Sequence, residues 1–162
     1  MDEADLLERL VTLFEELHVA YCVIGGQGVN AYVEPLVSLD LDVVIAADQL
    51  EEAERLLAQS FSVKRFPHSL NVGAPDSDLR VQIQTDVRYS DFPARASVRE
   101  VLGRPLKVAA LEDVLQGKIW AALDLERRGS KRQKDLADIA RLIEAYPHLR
   151  ERVPMELLER LV

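Results

Sequence analysis

Two short apolar runs, and what stands at their ends, constrain this chain more than anything else in it. Residues 19–24 (Val-Ala-Tyr-Cys-Val-Ile) are apolar and partly β-branched, and the run stops at Gly25-Gly26. Fourteen residues after that pair stands Asp40, within Leu39-Asp40-Leu41-Asp42-Val43-Val44-Ile45. Both runs predict strands. Residues i and i+2 of a strand point to the same side, so Asp40 and Asp42 share one face. Val43, Val44 and Ile45 read as the buried part, which leaves the carboxylates near the solvent end. Two acids side by side on a rigid element suit a divalent cation. Mg²⁺ takes one or two carboxylates plus substrate phosphates, and paired ions stabilise the attacking and leaving oxygens of a phosphoryl-type displacement. Without the glycine turn, the same Asp-x-Asp reads sooner as two solvated aspartates at a strand mouth.

At 162 residues the chain makes one domain, or a domain with a small helical appendage. No apolar run approaches the ~18–20 residues of a membrane span, and the acidic start Met-Asp-Glu-Ala-Asp does not read as a signal peptide. The single cysteine, Cys22, excludes a disulfide framework and makes a cytoplasmic location the expectation. Three scattered histidines give no pattern for structural zinc, and neither a Gly-x-Ser-x-Gly elbow nor a His-Glu-x-x-His motif is present. Charge is uneven. Residues 1–60 carry thirteen acids against Arg9 and Arg55, while residues 61–162 carry eighteen bases against fifteen acids. The net charge of −8 excludes broad nucleic-acid coating. A basic stretch, Arg127-Arg128-Gly-Ser-Lys131-Arg132-Gln-Lys134, reads first as a solvated helix end and second as a place for a phosphate-bearing partner.

Leu6, Leu7, Leu10, Val11, Phe14 and Leu17 recur at helical spacing and predict a helix over 4–18. After the strand at 19–24 comes a short helix at 27–32, closed by Pro35, and then the Asp-x-Asp strand at 39–46. Asp48 and Glu51 have capping-box spacing for a helix reaching residue 60. Residues 62–66 predict a strand and 67–78 a loop. Residues 79–85 alternate, with Leu79, Val81 and Ile83 inward and Arg80, Gln82 and Gln84 on the other face. A short element at 95–102 and a run at 106–109 precede helices at 111–127 and 131–145, broken at Gly129-Ser130. Pro147 and Pro154 bound a terminal helix. The order predicts an α/β (α+β) fold: a mixed β-sheet core flanked by helices, with a C-terminal helical part. The expected division is a core over 1–109 and a helical part over 110–162 packed on it as one unit.

A strand that ends in Gly-Gly and opens a helix lets backbone approach a ligand and aims free N–H groups at an anion. Gly26-Gln-Gly28-Val-Asn-Ala31 matches the dinucleotide pattern Gly-x-Gly-x-x-Gly/Ala. Against that reading, Pro35 breaks the helix within about two turns, and two acids stand where a single ribose ligand is expected.

The run Val23-Ile-Gly-Gly-Gln-Gly-Val-Asn-Ala-Tyr32, followed by Glu34-Pro35 and Ser38-Leu-Asp-Leu-Asp-Val43, resembles the signature of the nucleotidyltransferase superfamily. It is most similar to small bacterial AbiEii-type toxins and minimal nucleotidyltransferases. Leu111-Glu-Asp-Val-Leu-Gln-Gly-Lys118 and Arg132-Gln-Lys-Asp135-Leu-Ala-Asp138-Ile139 resemble the family's C-terminal helices, so the likeness spans about residues 19–145. It implies a nucleotidyltransferase-like fold and Mg²⁺-dependent (or Mn²⁺-dependent) transfer of an NMP from an NTP to an acceptor hydroxyl, on RNA, a protein or a small molecule. It assigns Asp40 and Asp42 to the metal and Gly25, Gly26 and Ser38 to the nucleotide. Lys118 is assigned to the triphosphate's charge, against the alternative of a snorkelling surface lysine on a helix that buries Val114, Leu115, Ile119, Ala122 and Leu123. An antitoxin-like protein partner is also implied.

Three departures accompany the resemblance. Leu36 stands where the family has arginine, and Ser38 replaces threonine. The third metal-site carboxylate, the expected base for the acceptor hydroxyl, falls at Gln82, or at Gln84 in a shifted register. Asp86 shares Gln82's face but lies four residues along, roughly 13 Å at ~3.3 Å per residue. These departures open a second reading, a degenerate member that binds a nucleotide or a partner protein without turnover. Asp135 and Asp138 are expected to be structural, paired with Arg132 and Arg141. Trp120 and Tyr146 are expected in the core or its rim, and Arg88 and Tyr89 are candidates for the pocket wall.

Overall fold

The computed structural model describes residues 3–75 and 77–161; the acidic tip Met1-Asp2 and residues 76 and 162 lie outside the described residues. Seven strands form one mixed sheet: β1 (Tyr21–Ile24), β2 (Asp40–Ile45), β3 (Ser62–Phe66), β4 (Ser69–Gly73), β5 (Arg80–Gln84), β6 (Ser97–Val101) and β7 (Arg104–Val108). Their order across the sheet is β3-β4-β5-β2-β1-β7-β6. β2 runs parallel to β5 and β1 parallel to β7, while the remaining neighbours are antiparallel. Among the described residues six α-helices accompany it: α1 (Glu3–Glu16), α2 (Gly25–Asn30), α3 (Leu50–Ser60), α4 (Leu111–Leu123), α5 (Gly129–Ala145) and α6 (Met155–Leu158). The expected α/β architecture, a mixed sheet flanked by helices with a helical C-terminal part, is what the chain forms.

The alternation read from sequence sets the two sides of the sheet. Leu41 and Val43 of β2, Val81 and Ile83 of β5, and Leu70 and Val72 of β4 are at most 3% exposed. They join one continuous core with Leu6, Leu10 and Phe14 of α1 and Ala53 and Leu57 of α3. The residues between them face the other way, toward α4 and α5. Val114, Leu115 and Ile119 of α4 and Leu136, Ile139 and Leu142 of α5 close the core on that side. A buried aliphatic side chain contributes ~1.5–3 kcal/mol relative to leaving it exposed, so this single core dominates the folded state's stability.

Four local expectations need correction. The segment 67–78, expected as loop, contains β4. A two-residue Pro67-His68 turn joins it to β3, with Phe66 opposite Ser69; only Leu70 and Val72 signal the strand, and Pro67, Gly73 and Pro75 mask it. The expected cap at Asp48 does not form: Asp48 lies in a 3₁₀ turn ahead of α3, and the N-cap has no side-chain hydrogen bond. Gln49 instead reaches back to the β1 entrance, accepting from Ala20 N at 2.7 Å and donating to His18 O at 3.0 Å. The break between α4 and α5 falls at residues 124–128, and Gly129 opens α5 rather than preceding it. Residues 147–152, within the expected terminal helix, form a 3₁₀ turn, and α6 is a single short turn beyond Pro154.

Candidate active-site cleft

β1 ends at Ile24 and the chain turns sharply into α2 at Gly25, whose φ is +66°. Glycine adopts that conformation at no steric cost. A Cβ at Gly25 would also overlap Oδ2 of Asp42 and come within 3.0 Å of its Cβ and Cγ. The first glycine therefore makes room for the Asp42 carboxylate. Gly26 is different, because a Cβ there would meet nothing closer than Lys134 Nζ at 3.9 Å. Gly28 brings α2 against α4, where Val114 Cγ2 lies 3.3 Å from its notional Cβ.

The connection from α2 to β2 is pinned from inside. Gln27 donates to Ser38 O at 3.0 Å; Asn30 donates to Leu36 O at 2.7 Å and accepts from Leu36 N at 3.0 Å. Arg141 of α5 donates to Asn30 Oδ1 at 3.0 Å and Glu34 O at 2.7 Å. These bonds fix Ser38, whose Oγ accepts from Asp40 N at 3.2 Å. Leu36, in the position where arginine was expected, points into solvent at 59% exposure.

A cleft of about 690 Å³ opens between the outward side of β2-β5-β4-β3 and the α4–α5 pair. Asp40, Asp42, Gly25, Gly26, Ser38 and Lys118 all line it, so the structure brings these six together. Gln82 stands directly opposite Asp42 in the parallel β2–β5 register, and Arg80 opposite Asp40. Arg80 Nε meets Asp40 Oδ1 at 2.6 Å, an exposed pair of the kind worth ~0–1 kcal/mol. Asp42 forms no ion pair among the described residues. Its pKa is raised: desolvation is the largest cause, Lys118 opposes it, and Asp40 adds to it.

Lys118 is neither snorkelling nor free. It is 7% exposed and lies 2.9 Å from Asp138 Oδ2 and 3.2 Å from Asp135 Oδ1. Burial alone would lower its pKa, but the attraction of Asp138 and Asp135 outweighs that and raises it. Asp135 also takes a bidentate pair from Arg127 at 2.8 and 3.0 Å, and Asp138 pairs with Arg141 at 2.8 Å. The expected partner Arg132 is elsewhere, donating to Ala122 O and Asp124 O at the end of α4. Asp86 does not reach the cleft: it caps the 3₁₀ turn after β5 and pairs with Arg88. Arg88 lies over the Trp120 ring at 4.8 Å, so of the pair Arg88 and Tyr89 only Tyr89 lines the cleft. Trp120 packs in an aromatic group with Tyr89 and Phe92, and Tyr146 against Tyr32, as expected of core and rim.

Part of the basic stretch borders the cleft while staying exposed at the end of α5, so each of its two readings holds in part. Arg127 and Arg128 ahead of α5, and Lys131 and Lys134 in its first turns, line the cleft wall on that side, and the last three form no ion pair among the described residues. The signal was available. Lys131 and Lys134 stand four residues before Asp135 and Asp138, on the stripe of α5 that those buried acids mark as inward.

The donor set bears on metal. No group of three His, Cys, Asp or Glu side chains converges among the described residues. Asp40 and Asp42 suit one divalent ion that completes its shell with water and phosphate oxygens.

Comparison with solved structures places this architecture. ANT(2'')-Ia in complex with adenylyl-2''-tobramycin superposes with a TM-score of 0.60 at 13% identity, over 91% of this chain and 97% of that one. The chain has the nucleotidyltransferase fold. The lincosamide antibiotic adenylyltransferase LnuA, lincomycin-bound, shares this nucleotidyltransferase fold at TM-score 0.55 and 14% identity, over 84% of this chain and 95% of its own. So does an antigenic nucleotidyltransferase-like protein from Paracoccidioides brasiliensis, at 0.54 and 20%, over 88% and 75%. No family model matches the sequence, and no curated protein matches it. No helix among the described residues is long and apolar enough to cross a membrane.

Proposed function

We propose that this cleft binds an NTP with a divalent ion, Mg²⁺ or Mn²⁺, and transfers the NMP to an acceptor hydroxyl. One observation carries the proposal: two carboxylates from a single strand form the floor of a cleft whose facing wall, α5 and its N-cap Arg128, carries three cations with no ion pair among the described residues. The adenylyltransferase neighbours support it by fold. Asp40 and Asp42 would hold the ion, which when bound withdraws electron density from the phosphate undergoing substitution. Gly26 keeps a side chain out of the phosphates' path, Gly25 leaves the room that the Asp42 carboxylate fills, and Lys134 beside Gly26 attracts the phosphates' charge. Ser38 holds the β2 entrance in place. Lys118 acts from below: it is committed to Asp135 and Asp138, and it favours the charged form of Asp42. Such chemistry is mostly positioning and electrostatics. The AbiEii-type resemblance adds a protein partner, to be sought by co-purification.

Gln82 supports a second reading. The residue opposite Asp42 is a carboxamide, which cannot take a proton from the acceptor, and a degenerate site would bind without turnover. Pyrophosphate release from the four NTPs, with Mg²⁺ or Mn²⁺ and cell extract as acceptor source, separates the two. Transfer by the wild type, abolished in Asp42→Asn, is expected. Saturating Mg·NTP should raise stability by about 2.7 kcal/mol at a hundredfold excess over Kd, and Asp42→Asn should lose that shift without losing its fold. Binding without release in the wild type, with release gained in Gln82→Glu, would establish the degenerate reading. An undiminished shift in Asp42→Asn would refute the metal assignment.

A further inference from the structure

The registers of the four outer strands align one polar side chain from each. Asp42 of β2 stands opposite Gln82 of β5, Gln82 opposite Asn71 of β4, and Asn71 opposite Lys64 of β3. Gln82, Asn71 and Lys64 are exposed, and all four residues line the cleft. Strands lie about 4.8 Å apart, so the row runs about 14 Å from the proposed metal ligand to the sheet edge. Asn71 is the one exposed residue of β4, with Leu70 and Val72 buried on either side of it. Lys64 forms no ion pair among the described residues; its ammonium lies 5.3 Å from the Phe66 ring centroid. The row is therefore a track of two carboxamides that ends in a cation with no carboxylate partner among the described residues. It is separate from the α5 wall that faces the proposed triphosphate.

We infer that this row is the acceptor subsite, and that the acceptor is a polyhydroxyl compound with an anionic end, a phosphorylated sugar being the simplest of the class. The inference deepens the proposed nucleotidyl transfer and rests on it. A carboxamide offers one acceptor oxygen and two N–H donors, and so matches vicinal hydroxyls. Lys64 marks the far end for an anion. The cleft's charge acts in the same direction: Lys64, Arg80, Lys118, Arg127, Arg128, Lys131 and Lys134 line it against Asp40, Asp42, Asp78 and Asp135. A polycationic amino sugar would meet like charge well inside the ~8 Å screening length at physiological salt. In the transfer, an acceptor hydroxyl oxygen forms a bond to the α-phosphorus, the bond from that phosphorus to the β-phosphate's bridging oxygen breaks, and pyrophosphate leaves. The hydroxyl proton passes to water in the open cleft, since Gln82 cannot hold it.

The test is calorimetric binding to protein saturated with Mg²⁺ and the α,β-methylene analogues of the four NTPs. Glucose, glucose 1-phosphate, glucose 6-phosphate, ribose 5-phosphate and tobramycin are the probes. At least one sugar phosphate should bind at least tenfold more tightly than glucose, with tobramycin weakest. Lys64→Ala should cut that sugar phosphate's affinity about tenfold, the effect of losing ~1.4 kcal/mol, while the analogue's affinity stays put; Lys64→Arg should restore it. Asn71→Ala should weaken glucose and sugar phosphate alike. Tobramycin binding best, no sugar phosphate binding to analogue-loaded protein, or full sugar-phosphate affinity in Lys64→Ala would overturn the inference and leave nucleotide binding standing. Failure of every analogue to bind would overturn the proposed function and this inference with it.

Discussion

At Gly25 the backbone holds φ at +66°, and the space where a Cβ would stand is filled by the Asp42 carboxylate. At Gly26, one residue on, φ is ordinary and the nearest neighbour is the far end of a lysine. The sequence shows two equivalent glycines closing a strand, and the expectation that either lets a phosphate approach treats them alike. The structure separates them: the first serves Asp42, and the second is open toward the cleft. Gly25→Ala should therefore cost about 1–3 kcal/mol from left-handed backbone strain alone, with more from displacing Asp42, and it should weaken Mg·NTP binding. Gly26→Ala should change stability far less, since it sits inside α2 with free space. Paired denaturant melts check this, and equal losses in the two variants would remove the distinction. Residue types and spacing pointed to Asp40 and Asp42, the family resemblance pointed to Gln82, and all three line the cleft. Neither revealed that Arg80 occupies Asp40, because cross-strand partners depend on a register that no local pattern encodes.

Among elements, α4 and α5 are tied by a buried cluster that the chain reads only as charges at helical spacing. Lys118 lies between Asp135 and Asp138, Arg127 closes one side, and Arg141 extends the other to Glu34 O and Asn30. The same cluster thus fixes the loop that carries Ser38. Asp138→Asn leaves two cations short of a partner, and removing one member of a buried pair costs about 3–5 kcal/mol. Part of that loss depends on pH. Lys118's pKa in the fold is raised above its ordinary 10.5. The cluster's stabilisation is therefore fully present below 10.5 and fades as pH rises through the folded value. The stability gap between wild type and Asp138→Asn, measured by urea unfolding at pH 7 and again above 10.5, should narrow at the higher pH and keep the share that Arg141 carries. A constant gap would mean that Lys118 contributes nothing to it. The helices themselves were legible from their 3.6-residue period. The pairing of Asp135 with Arg127 rather than Arg132 was not, because it depends on where the chain breaks between α4 and α5, and that break falls at 124–128.

At the scale of the whole molecule, β1 carries the argument. It has β2 on one side and β7 on the other, and all four of its residues are buried. β7 and β6 extend past β1 the sheet that residues 1–84 begin, and buried residues of α4 and α5 belong to the same core, which supports the proposal that 1–109 and 110–162 form one unit. The sequence supplied the alternation that separates the sheet's two faces, but only the fold places residues so distant in the chain on one strand row. Cys22 lies at the centre of that arrangement. It is 0% exposed, and burial pushes its thiol up to about 12, with Asp113 at the start of α4 adding to the rise. Only the thiolate reacts, so the native protein should resist thiol reagents at pH 8 and label only when the core opens. Core strands open with the free energy of global unfolding, whereas separable parts open with less. The free energy derived from Cys22 labelling rates should therefore match that from equilibrium urea unfolding. A labelling free energy several kcal/mol lower would show that residues 110–162 detach on their own and would sink the single-core description.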